Sequence, residues 1–146
     1  MPSQAPTLWA SVITILAMLI YMYTASRAGS ARGKHKIEAP AVTGHPEFER
    51  AYRVQMNTLE AMPVFLPSLW LATALFSSQS RMLWWLPAAF GAVWLIGRIV
   101  YMQAYMADPG KRSTGFGIAA LALIALFILA IAGTVMTWMA NTGGTA

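Results

Sequence analysis

The chain has 146 residues, of which 58% are hydrophobic and 10% charged, which excludes an ordinary soluble domain and indicates a single integral membrane domain. It contains no cysteine, so disulfides, thiolate metal sites and a protein cysteine nucleophile are excluded, and any thiol chemistry has to come from a ligand. The formal charge is +5, but the basic residues flank apolar stretches as topology signals do, which argues against a nucleic-acid partner.

Residues 8–25 form a nearly unbroken apolar run, predicting a first helix over about 7–28. No Lys or Arg precedes the run, so a membrane span is expected rather than a cleaved signal. Arg27, Arg32, Lys34 and Lys36 follow it. Residues 29–46 lack apolar periodicity and read as a loop. A second helix is predicted over about 46–77, with Pro46 suited to its first turn and Glu47 and Glu49 complementing its dipole. Pro63 and Pro67 fall inside it and are expected to bend it. A short polar link at 77–81 implies an antiparallel third helix over about 82–107. Asp108-Pro109-Gly110 breaks that helix, a fourth is predicted over about 113–140, and the polar tail at 141–146 is expected to fray. The expected fold is an all-α, up-and-down bundle of four transmembrane helices comprising residues 1–146.

Apart from Arg81, the charged side chains lie in or near the first and third connections or project from them. The positive-inside rule makes those connections cytoplasmic and both termini non-cytoplasmic, in a bacterial inner membrane or an endomembrane. Trp9, Trp84, Trp85 and Trp138 would then line the opposite interface.

Two polar stripes stand out against the apolar background. In FERAYRVQMNTLE, helical spacing places Arg50, Arg53, Asn57 and Glu60 within a narrow arc. On the third helix Trp94, Arg98, Tyr101 and Tyr105 follow the i, i+4, i+7, i+11 pattern of one face. Ionisable groups inside a membrane are costly, so such stripes point to function, although a structural ion-pair lattice is the competing reading. In an antiparallel pair, Glu60 and Arg98 reach similar depths, about 15 Å from the charged end, and an ion pair between them is one expectation. The cations Arg50, Arg53, Arg98 and Arg112, with the anion Glu60 and the neutral groups of Asn57, Tyr101 and Tyr105, suit a small, mostly anionic zwitterion. Tyr21 and Tyr23 read as interface anchors. His35 and His45 show no metal-ligand spacing with another His or Cys, so both read as solvated and no metal is expected.

FERAYRVQMNTLEAMPVFLPSLW and GRIVYMQAYMADPGKRSTGF, in this order and spacing, resemble the membrane-associated proteins in eicosanoid and glutathione metabolism, and GKRSTGF resembles the microsomal glutathione S-transferase types in particular. The resemblance implies a homotrimer binding glutathione between subunits near the cytoplasmic face. Arg53, Asn57, Glu60, Tyr101 and Tyr105 would hold the tripeptide, with Arg98 beneath it. Gln55 would reach it from the neighbouring subunit, Arg32 would lie over the thiol end, and Arg112 would stabilise the thiolate. Ala61 stands where the leukotriene C synthase branch carries a tyrosine, so one ligand hydrogen bond is lost or supplied elsewhere. The implied activity is glutathione transfer to lipophilic electrophiles from the bilayer, with peroxidase activity toward lipid hydroperoxides as a companion. A non-catalytic lipid-binding scaffold of the same family and a small multidrug-type transporter are the alternatives.

Overall fold

The computed structural model describes residues 4–80 and 82–143, which form four long helices. They are α1 (Ala5–Lys34), α2 (Pro46–Gln79), α3 (Leu86–Ala107) and α4 (Ser113–Thr142), the last preceded by a 3-10 turn at Pro109–Arg112. All four are long and apolar enough to span a bilayer. The 34 residues of α2 extend about 50 Å, well beyond a hydrocarbon core of roughly 30 Å, so its charged first turns stand outside the hydrocarbon. The up-and-down order gathers Trp9, Trp85 and Trp138, all well exposed, at one end and the charged connections at the other. Arg81 and residues 144–146 lie outside the described residues.

The helix ends follow local chemistry. α1 runs past its expected end at 28, through the exposed Gly29 and Gly33, and Arg32 and Lys34 complement the dipole of its last turn. Its final carbonyls are satisfied by His35 N, Lys36 N and Ile37 N, and the chain leaves through Lys36 at a φ of 52°. α2 starts at Pro46, with His45 Nδ1 accepting from Glu47 N at 3.2 Å. It continues through Pro63 and Pro67 and widens into one π-helical stretch at Ala72–Phe76. α3 begins at Leu86 rather than near 82. Ser80 Oγ accepts from Leu83 N, Ser77 Oγ donates to Trp84 O, and Pro87 sits in the first helical turn.

Two kinds of contact hold the bundle together. Large rings fill the space between α2 and α3, where Phe65 and Trp94 stack at 3.7 Å and are almost fully buried. Bare backbone closes α3 against α4. A Cβ on Gly115 would lie 2.2 Å from Tyr101 N, and one on Gly97 would lie 2.6 Å from Ala119 N. Near the far end, a Cβ on Gly133 of α4 would lie 2.4 Å from Phe76 N in the wide turn of α2.

Candidate functional site

Three helices converge on a cleft of about 530 Å³, within the range of small-molecule sites. α2 contributes Arg53, Asn57, Glu60 and Ala61, α3 contributes Arg98, Tyr101 and Tyr105, and the start of α4 adds Arg112 and Phe116. The two stripes meet here because α2 and α3 turn their polar faces toward one another. Arg53 and Tyr105 also border a second recess of about 370 Å³, which contains Arg50 and Glu49.

Hydrogen bonding fixes the floor of the cleft. Arg98 is 5% exposed. Its Nη2 donates to Thr58 Oγ1 at 2.7 Å, while the Thr58 hydroxyl donates to Val54 O at 2.8 Å. The hydroxyl thus uses its proton on its own helix and its lone pair on the guanidinium. The Arg98 guanidinium also lies 4.5 Å from the Tyr101 ring centroid. Its Nε is buried and has no hydrogen-bond partner. The expected ion pair with Glu60 does not form: both side chains line the cleft, but Arg98 is engaged by Thr58 and Tyr101, and Glu60 is exposed. A short hydrogen bond from Asn57 Nδ2 to Tyr101 Oη ties α2 to α3.

The rim is set by the turn into α4. Asp108 Oδ1 accepts from Gly110 N at 2.9 Å, closing the Asp-Pro-Gly turn and delivering Arg112 to the N-cap position of α4. The Arg112 guanidinium stands 5.8 Å from the Tyr105 ring. No side chain caps the first N–H groups of α4, and neither an Asp nor a Glu occupies its first turn. The helical backbone begins one turn earlier, at Pro109, where the Asp108 carboxylate meets the positive end of the dipole, so the arginine is the cation that this turn brings to the rim. In all, three guanidinium groups face one carboxylate across the cleft.

Seven of the nine residues singled out from the sequence share this cleft: Arg53, Asn57, Glu60, Arg98, Tyr101, Tyr105 and Arg112. Arg32 and Gln55 do not line it. Arg32 stacks over the Phe48 ring at 4.6 Å and donates to Ile37 O and Glu38 O. Gln55 sits half-buried on another side of α2. Thr58 and the glycines of the α3–α4 contact were not singled out from the sequence. Gly115 and Ala119 are a small-xxx-small pair, which is a recognisable signal, whereas a lone Thr in an apolar helix carries none.

The histidines are half-buried and paired, whereas the sequence predicts both to be solvated. The His35 and His45 rings stack at 3.5 Å. His35 Nε2 lies 2.9 Å from Glu47 Oε2, which Lys34 Nζ also meets at 2.7 Å. Those bonds from Lys34 and His35 hold the Glu47 carboxyl well below the usual carboxylate range, at about 2.

The MAPEG family profile matches residues 10–132. An uncharacterized protein of Synechocystis sp. is 40% identical over 129 residues, covering 88% of this chain and 90% of its own. Human microsomal glutathione S-transferase 2 is 37% identical over 119 residues, covering 82% of this chain and 76% of its own. Bovine leukotriene C4 synthase is 36% identical over 121 residues, covering 83% and 77% respectively. With four membrane-spanning helices and similarity over most of its length, the chain belongs to the MAPEG family.

Proposed function

We propose that this protein is a membrane-bound glutathione S-transferase, and one observation carries the proposal. The cleft presents three guanidinium groups and one carboxylate, a formal charge of +2 (three minus one). Glutathione as its thiolate carries two carboxylates, one ammonium and one sulfur anion, a formal charge of −2. The cleft also offers the matching sign at each point, with arginines for the carboxylates and Glu60 for the ammonium. Arg53, Asn57, Tyr101 and Tyr105 hold the tripeptide, and Arg98 lies beneath it. The names of the human and bovine relatives support the same reading.

The proposed chemistry starts from a thiol whose ordinary pKa is about 8.5. Arg112, at the N-terminus of α4, favours its thiolate, which attacks a lipophilic electrophile arriving through the bilayer. A carbon–sulfur bond forms, and the leaving group departs with its electron pair. With a lipid hydroperoxide, two glutathiones supply the electrons, giving the alcohol, water and glutathione disulfide. We further propose a homotrimer in which Arg32 and Gln55, which lie away from the cleft of their own chain, serve a neighbouring copy. The basic connections support a topology with both termini on the non-cytoplasmic side.

Conjugation of a chlorinated dinitrobenzene by purified protein tests the assignment. Glutathione-dependent turnover is expected; binding without turnover would leave a scaffold, and absence of binding would remove the glutathione reading. Arg53→Ala, which deletes a charge-assisted contact, should raise the KM for glutathione about 10- to 100-fold with little change in kcat. Tyr101→Phe leaves Asn57 without its acceptor and should raise the KM about two- to tenfold, measured in the same assay.

A further inference from the structure

The connection between α1 and α2 brings together three side chains that the glutathione cleft does not use. His35 is at the C-cap of α1, His45 is the N-cap of α2, and Glu47 lies in the first turn of α2. One ligand atom from each lies within 4.8 Å of the other two. We propose that His35, His45 and Glu47 form a binding site for a divalent transition-metal ion of the zinc type, which staples α1 to α2 at the charged end of the bundle.

The donor set has the right chemistry. Two neutral imidazoles and a carboxylate suit Zn²⁺ and its first-row neighbours, and leave a fourth position for water. The separation between His35 Nε2 and Glu47 Oε2, 2.9 Å, is close to the roughly 3.3 Å between two ligands of a tetrahedral zinc with 2.0–2.1 Å bonds. His45 Nδ1 spends its lone pair on Glu47 N, which holds the ring beside Glu47, so the ion either exchanges that hydrogen bond for a metal bond or takes Nε2. The rings lie within 13° of parallel, so their in-plane lone pairs do not yet converge. Binding therefore requires one imidazole to rotate out of the stack, with the ion replacing the proton on His35 Nε2 and the Lys34 ammonium at Glu47 Oε2. Lys34 is largely exposed and free to swing into water.

The position gives such an ion a consequence. The two histidines bracket the loop whose Ile37 and Glu38 carbonyls hold Arg32. A metal that closes the bracket fixes that loop and the direction of Arg32, while leaving the floor of the cleft untouched.

The test uses full-length protein in detergent, stripped with chelator and titrated with Zn²⁺ by calorimetry, with thermal unfolding followed in parallel. One Zn²⁺ per chain and a metal-dependent rise in Tm are expected. His45→Asn keeps an N-cap side chain but removes the imidazole, and should weaken binding at least tenfold. His35→Asn/His45→Asn should abolish the Tm rise. Lys34→Gln frees Glu47 from its competing cation and should tighten binding several-fold. Wild-type titration indistinguishable from that of the double variant, or weaker binding by Lys34→Gln, would overturn the proposal. Because the readout is metal affinity, failure here leaves the glutathione reading untouched, and an inactive protein that binds zinc would separate the two in the other direction.

Discussion

Arg112→Ala should raise the pKa of bound glutathione by about 1–3 units and lower turnover at neutral pH by roughly 10- to 1000-fold, while affinity changes only a few-fold. Arg112 is exposed at the rim, so removing it leaves no buried group unpaired and the fold is spared. What is lost is the guanidinium that the turn into α4 brings to the rim of the cleft. The sign is specific: a thiol whose pKa has risen recovers its thiolate as pH is raised, so the deficit should shrink in alkaline buffer. Ultraviolet titration of bound thiolate, run beside a direct measurement of glutathione affinity, separates activation from binding. Unchanged turnover across the pH range would remove Arg112 from the reaction. Arg112→Lys, which keeps the charge but not the fork, should retain part of the activation.

The second large effect is structural. Gly115→Ala places a methyl 2.2 Å from Tyr101 N, a distance no rotamer change can relieve because the obstacle is backbone. The α3–α4 contact has to open, at a cost near the upper end of the ~1–3 kcal/mol typical of overpacking. Thermal unfolding in detergent should show a clear drop in Tm. Glutathione binding should fall with it, because Tyr101 and Tyr105 ride on α3 while Arg112 rides on the start of α4. Gly117→Ala is the matched control. It lies two residues on, about 200° round the helix and so on the opposite face, and its Cβ would meet nothing within 4 Å, so this change should be neutral or stabilising by about 0.5–1 kcal/mol. Equal effects of the two substitutions would show that close backbone approach is not what joins these helices.

The sequence made the spans and the two stripes visible for the same reason. A bilayer leaves only helices as spanning elements in such a chain, so hydropathy located them and a 100° period assigned their faces. Arg53, Asn57 and Glu60 could therefore be matched with Arg98, Tyr101 and Tyr105 before any coordinates. The partner of Arg98 was not visible: Thr58 resembles any hydroxyl bonding back to its own helix, and the carboxylate of Glu60 was the more obvious choice. The His35–His45 stack was hidden for a different reason. Nine residues separate His35 from His45, and loop closure follows no period that a sequence pattern records. The start of α3 was missed because an apolar stretch beginning at Met82 conceals a turn organised by Ser77 and Ser80.

The wide turn at Ala72–Phe76 has a consequence for how this bundle tolerates change in length. A π-helical turn carries one residue more than an α-turn, so it works as an expansion joint. Losing a residue there can be absorbed by tightening the turn, whereas the same loss between Arg53 and Glu60 would rotate half of the charge pattern by about 100°. The tryptophan-bearing end of α2 therefore absorbs the loss of a residue more readily than the arginine-bearing end, which has to keep its phase.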